Sequence, residues 1–244
     1  MAEYFPVCPH GDVEEIAANT FMVRGSMKMN PVLRISRNMG IVRSGDEVSL
    51  INPIRLDSKG ESQLRKLGKV TNIIRLGSFH GIDDPYYKDK FAVRLWAQPG
   101  GKHYTEPPLD VELGSETALP FENARLFEFS NTVQPESVLH LESDGGILFT
   151  CDAIQHYGDY SYNNLPAKLL MPFIGFPRTT IIGPFWLKLM TPEGASLESE
   201  FQDLLMLEFD KLLSAHGTLI TGGAHAAVQE AVARAFTDQG KAKT

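Results

Sequence analysis

Val138-Leu139-His140-Leu141-Glu142-Ser143-Asp144-Gly145-Gly146-Ile147-Leu148-Phe149-Thr150-Cys151-Asp152-Ala153-Ile154 is the stretch that decides how this chain is read. Val138 to Leu141 is a short apolar run. Ser143-Asp144-Gly145-Gly146 supplies turn residues that tolerate positive φ. Ile147-Leu148-Phe149 is a second apolar run of strand length, so the whole reads as a hairpin. Its second strand ends at Asp152, a lone carboxylate just past apolar residues. Open α/β sheets tend to gather ligand-binding groups at such strand ends. His140 alternates with Leu139 and Leu141 and is expected on the opposite face.

Upstream, Ile16 to Arg24 reads as a first strand and Leu33 to Ile35 as a second. Gly40 to Val42 and Val48 to Ile51 read as strands joined through Ser44-Gly45-Asp46, a hairpin signal. Ser58 to Leu67 reads as a helix, with Ser58 as its cap, Glu61 three residues on and Gly68 as terminator. Val70 to Leu76 is a continuous apolar strand carrying one Arg, the mark of burial on both faces. It exits into Gly77-Ser78-Phe79-His80-Gly81-Ile82-Asp83-Asp84-Pro85.

Downstream, Phe91 to Trp96 and Arg125 to Phe129 read as strands, and residues 155–164 as a polar, aromatic loop. Leu169 to Phe176 and Thr180 to Met190 are apolar stretches interrupted by Pro172, Pro177 and Pro184. Leu197 to Leu213 has the stripe of an amphipathic helix. Thr218 to Thr221 reads as a last short strand and Ala226 to Phe236 as a terminal helix. Residues 1–12 read as an irregular lead-in, and residues 13–240 as one domain.

At 244 residues, the chain is long enough to bury a sizeable core. Hydrophobic residues make up 43% and charged residues 22%, which is ordinary for a globular protein. The net charge of -7, with no basic cluster, argues against a nucleic-acid partner. Cys8 and Cys151 are too few for a disulfide framework. No apolar run approaches the ~20 residues that span a bilayer, and no signal segment is evident. A cytoplasmic setting with no membrane partner is the expectation.

The pattern of strand, Asp-Gly-Gly turn and Ile-Leu-Phe-Thr-x-Asp-Ala resembles the metallo-β-lactamase fold family. Residues Asn38 to Pro53 look like that family's opening hairpin. Residues Leu207 to Gly217 look like its late strand ending in His-Gly, which competes with the helical reading of the same segment. The resemblance implies an α/β fold, an αββα sandwich of two packed mixed β-sheets flanked by helices. It also implies metal-dependent hydrolysis of a small-molecule substrate.

The family's loop after the Val70–Leu76 strand carries His-x-His-x-Asp-His, and here that motif is degraded. One register puts His80 on the first His and Asp84 on the Asp, with Ile82 and Pro85 in place of two histidines. A second register puts Gly77 and Phe79 on the first two histidines and leaves no ligand. Near Pro135 and Ser137, Val133 stands where the family has another metal-binding His. The implied metal ligands are His80, Asp84, Asp152 and His216, with Asp83 free to take a proton. They suit one divalent transition metal, Zn, Fe or Mn, or none.

Each residue also has a plainer reading. Asp152 can cap its turn, His80 can pair with a neighbouring carboxylate, and Asp83-Asp84-Pro85 can start a turn. His216 can be a loop histidine, and Cys151 a small buried residue. Three functions remain open: a metallo-β-lactamase-like hydrolase with a reduced site, a non-catalytic binding or regulatory member of the fold, and an iron-dependent oxidoreductase. A homo-oligomer is compatible with each.

Overall fold

The computed structural model describes residues 4–241. The strands are β1 Glu14–Ala17, β2 Thr20–Lys28, β3 Arg34–Ser44, β4 Glu47–Ile51, β5 Lys69–Arg75, β6 Arg94–Ala97, β7 Val111–Glu112, β8 Ala124–Glu128, β9 Ser137–Leu141, β10 Ile147–Thr150, β11 Ile154–His156, β12 Thr180–Ile182 and β13 Lys211–Ser214. The helices are α1 Ser58–Leu67, α2 Asp84–Phe91, α3 Leu165–Leu170, α4 Pro184–Met190, α5 Glu198–Leu204 and α6 Ala224–Lys241. A 3-10 turn, Met171–Ile174, continues α3.

Strands β1 to β7 form one sheet in sequence order, and a second sheet runs β13-β10-β9-β8. Both sheets are mixed. β1 to β4 pair antiparallel and β4 to β7 parallel. β8, β9 and β10 pair antiparallel, while β10 and β13 run parallel. β11 and β12 make a separate two-stranded ribbon.

Alternation along the strands builds the layers, because successive side chains point to opposite faces. Phe21, Val23, Met39, Ile41 and Ile73 pack with Leu64 of α1 and Tyr87 of α2. Their neighbours Met22, Val42 and Ile74 face the other way and meet Leu139, Phe149 and Leu213 between the sheets. Val138, Leu148 and Leu212 face outward again, onto Phe201 of α5 and Val228 of α6. Helices, sheet, sheet and helices follow in that order, the αββα sandwich implied by the resemblance. Val70 and Ile73 face one side of β5 and Ile74 the other, so that strand is buried on both faces as its continuous run implies.

Several local expectations are corrected. Ile16 to Arg24 is not one strand: the chain turns at Ala18-Asn19, where Asn19 adopts φ 57, a conformation Asn tolerates. Arg34–Ile35 and Gly40–Val42 belong to one strand, β3, and Leu33 lies just before it. The cap of α1 is Asp57, whose carboxylate accepts from Gly60 N at 2.8 Å, rather than Ser58. Asp84 to Phe91 is helical, so β6 begins only at Arg94. The stripe from Leu197 to Leu213 is split: α5 stops at Leu204, and Lys211 to Ser214 is strand β13. Parallel pairing with β10 overrides helical periodicity there. Thr218 to Thr221 is no strand, only isolated bridges at Gly217 and Ile220. Residues 1–3 of the lead-in lie outside the described residues. Among the described residues, no helix is long and apolar enough to cross a membrane.

Candidate functional site

Strand register brings the first two site residues together. Thr150 of β10 pairs with Ser214 of β13 in a parallel ladder. Two residues beyond each, Asp152 and His216 leave at the same edge of the sheet. Gly217 follows at φ +85, and a Cβ there would lie 1.9 Å from the His156 carbonyl oxygen. Only glycine lets the chain turn away so closely behind His216. The third residue, His80, comes from the other sheet, in the turn after β5. Its amide donates to Gly77 O at 3.2 Å, and the buried Arg37 guanidinium donates to its carbonyl at 3.1 Å.

Four atoms of these side chains converge. His80 Nε2 lies 3.2 Å from Asp152 Oδ2, and His216 Nε2 lies 3.1 Å from Asp152 Oδ1. The two Nε2 atoms are 3.2 Å apart. His216 Nδ1 stands 2.7 Å from the Ser36 carbonyl, which can only accept, so Nδ1 donates and the neutral ring is the tautomer whose Nε2 lone pair faces the cluster. Burial pushes the His80 imidazole down to about 4, which keeps it neutral near pH 7. Burial works to raise the Asp152 carboxyl, but the imidazoles on its oxygens hold it well below the usual carboxylate range. Two carboxylate oxygens and two imidazole nitrogens thus face one another at 3.1–3.2 Å.

Two imidazoles and one carboxylate turned toward one point are a donor set for a divalent cation. The 3.2 Å between the two Nε2 atoms matches the roughly 3.3 Å edge of a tetrahedron whose ligands lie about 2.0–2.1 Å from a zinc-sized ion, and each imidazole has one Asp152 oxygen at 3.1–3.2 Å. His80, Asp152 and His216 therefore fit a metal ion. Cys151 Sγ, with donors of His80 and Asp152, completes a second set of atoms within 4.8 Å of one another. Burial, then the charges of Glu136 and Asp152, push the Cys151 thiol up, so it is poorly suited to act as thiolate.

Asp84 and Asp83, expected beside these residues, are held elsewhere. Asp84 opens α2 and its Oδ2 is bound to Arg75 Nη1 at 3.1 Å, with no exposure to solvent. Burial raises its carboxyl to about 6 against the pull of Arg75. Asp83 lines a separate cleft with Cys8, Arg37 and Arg55, and burial raises it too. The cause is α2: once the helix starts at Asp84, the two carboxylates are committed to its first turn and to the arginines around it. Three of the other histidines are hydrogen-bonded elsewhere: His140 with Glu208 O, His156 with Thr180 Oγ1 and His225 with Leu205 O. Val133 is 47% exposed and joins no cluster.

Glu136 was not anticipated. It is fully buried, accepts from Ala153 N at 2.6 Å and from the Trp186 indole at 2.8 Å, and sits behind Asp152. Burial and then the Asp152 charge push its carboxyl well above the usual range. A Cβ on Gly77 would lie 2.7 Å from Cys151 Sγ and 2.8 Å from Glu136 Oε2. The space beside Gly77 is thus taken by Cys151 and Glu136. The only sequence signal for Glu136 was an acidic residue directly before the apolar run of β9.

A cavity of about 400 Å³ opens over the cluster. Met27, Leu33, Phe79, Tyr157, Phe176 and Trp186 form much of its wall, with His80, Asp152 and His216 as its polar end. The apolar wall draws on the β2–β3 hairpin, the turn after β5, the 155–164 loop and the segment from α3 through α4.

No protein-family model matches the chain, and no curated protein matches its sequence. Solved structures do. The DIM-1 metallo-β-lactamase superposes with a TM-score of 0.66 at 13% identity, covering 96% of this chain and 99% of the other. FIM-1 from Pseudomonas aeruginosa, in its mono-zinc form, gives 0.64 at 12% identity over 94% of this chain and 97% of its own. A metallo-β-lactamase from Erythrobacter litoralis gives 0.61 at 15% identity, covering 93% of each. The chain has the metallo-β-lactamase fold. At these identities the likeness speaks for architecture alone.

Proposed function

We propose that this chain is a metal-dependent hydrolase with a reduced site, one divalent ion held by His80, Asp152 and His216. The observation that carries the reading is the convergence of their inward atoms at 3.1–3.2 Å. An ion bound there supplies Lewis acidity, polarising an acyl or phosphoryl oxygen and acidifying water. The chain's own groups prepare the rest. Ser36 fixes the His216 tautomer, so its lone pair stays presented. Burial keeps His80 neutral, the state in which imidazole can ligate. Glu136 anchors the Ala153 amide and the Trp186 indole, and so fixes the turn that carries Asp152. The apolar wall excludes water and accepts the apolar body of a small-molecule substrate.

Zinc is the ion we favour, since one similar structure was obtained in a mono-zinc form. Metal analysis of protein purified without chelator tests the proposal. About one divalent ion per chain is expected, lost in Asp152→Ala. A wild-type protein that stays empty after loading with zinc would overturn it. A specific observation also favours a second reading: two imidazoles and one carboxylate with open positions are the donor set of non-haem iron(II) oxygenases. Iron in place of zinc in the purified protein would select it.

A further inference from the structure

We infer that the mouth of the cavity is a docking surface for a bilayer bearing anionic headgroups. The inference goes beyond the metal site and holds whether or not an ion is bound.

Twelve large apolar side chains are exposed among the described residues, and nine of them lie on two segments, 29–32 and 165–189. Scattered apolar residues are normal, but a contiguous set marks an interaction surface. The segments are neighbours: Asn164 N donates to Arg34 O and Asn164 Nδ2 donates to Val32 O. The first is the tip of the β2–β3 hairpin. The second is broken by Pro166, Pro172, Pro177 and Pro184 into pieces too short to bury their apolar faces. Phe173 is left 88% exposed, Leu165 67% and Leu169 64%.

Charge distinguishes the occupant. The chain is acidic, at -7, yet from Tyr160 to Pro192 it carries Lys168, Arg178 and Lys188 and no carboxylate. All three cations are exposed. The hairpin adds to this: residues 20–40 hold no acid, and although Arg37 is buried and Arg24 is paired with Asp159 at 2.8 Å, Lys28 is exposed and Arg34 half-buried. A second copy docking here in a two-fold interface would set Lys168, Arg178 and Lys188 against the same three cations of its partner. An anionic bilayer answers the cations, and its apolar interior takes the protruding side chains, the combination that peripheral attachment uses. The patch is also continuous with the site. Met29, Leu170, Ile174, Phe185 and Leu189 are both exposed at the rim and part of the cavity wall. An apolar molecule can pass from the lipid phase into the cavity without crossing bulk water, whereas a folded protein seated there would close it. The absence of a membrane partner was inferred from spanning segments, and surface attachment needs none.

The test is co-sedimentation with vesicles of phosphatidylcholine alone and of phosphatidylcholine with about 30% phosphatidylglycerol. Partitioning is expected to rise roughly tenfold with the anionic lipid and to fall at high salt. The double variant F173S/L169S, altered only at exposed positions, should lose binding. K168E/K188E should lose the preference for anionic lipid. Chelator-treated protein should bind as the untreated protein does, so loss of the metal site and loss of docking are read apart. No binding to either vesicle, or equal binding to both, overturns the inference. So does a dimer in sedimentation analysis that F173S/L169S converts to monomer, because a second copy would then be the occupant.

Discussion

Oδ1 of Asp152 lies 3.1 Å from Nε2 of His216, and in the neutral ring, whose proton is on the Nδ1 facing the Ser36 carbonyl, no proton lies between them. Two facing lone pairs in a buried site are unfavourable unless a cation or a donor intervenes. In Asp152→Asn the new amide donates to His216 Nε2. Chelator-treated Asp152→Asn is therefore expected to be as stable as chelator-treated wild type, or more stable by about 1 kcal/mol. Its metal content should fall to background. Urea unfolding and metal analysis read the two effects. A variant that keeps its metal would remove Asp152 from the ligand set.

Asp84 and Arg75 form a buried pair, with side chains 0% and 7% exposed. Asp84→Ala strands the guanidinium without its counter-charge, and the expected loss of stability is roughly 3 kcal/mol. Metal content should not change, since Asp84 faces Arg75 rather than the His80 cluster. Loss of the ion from a folded Asp84→Ala protein would return Asp84 to the ligand set.

The pH dependence of the metal-free protein follows from His80. Its imidazole falls from an ordinary 6.5 to about 4 on folding, because burial disfavours the charged form. Between these values the unfolded chain binds more protons than the folded one, so stability rises with pH across that window. Below about 4 both states are protonated and the dependence ends. Asp84 opposes this: raised from 3.8 to about 6, it makes stability fall as pH rises through its own window. His80→Gln should remove the rising component and leave the falling one. Denaturant midpoints of chelator-treated protein between pH 4 and 7 measure it, and an identical profile for the variant would refute the assignment.

Glu136 satisfies two buried donors, Ala153 N and the Trp186 indole. Truncation in Glu136→Ala leaves both unpaired away from water, at a cost of roughly 2–4 kcal/mol. Because the Ala153 amide holds the turn beside Asp152, zinc affinity should weaken as well. Thermal melts with and without zinc separate these effects. A variant as stable as wild type would mean that the carboxyl does not anchor the turn.

Much of the architecture was legible in short stretches. The Ser143–Gly146 turn, the alternation through Ile147-Leu148-Phe149 and the Ser58–Leu67 helix are local signals, and the structure keeps them. Lys211 to Ser214 shows the limit. Its leucines fit a helical stripe, but pairing with β10 makes it a strand, as the resemblance of Leu207 to Gly217 implied and the periodicity did not. The loop after β5 shows a second limit. A spacing of four between His80 and Asp84 cannot reveal that Pro85 lies in the first turn of a helix, or that Arg75 claims Asp84.

By itself the sequence determined the 138–150 hairpin, the Ser58–Leu67 helix and the residue types able to bind an ion, because each rests on neighbours along the chain. Only the tertiary structure decided which side chains share a point. The parallel register of Thr150 with Ser214 delivers Asp152 and His216 to one edge, and sheet-on-sheet packing sets His80 against them. The apolar wall and the buried Glu136 were decided in the same way. Their partners lie up to dozens of residues apart in the chain, and only the balance of burial, charge and hydrogen bonding across the folded layers could bring them together.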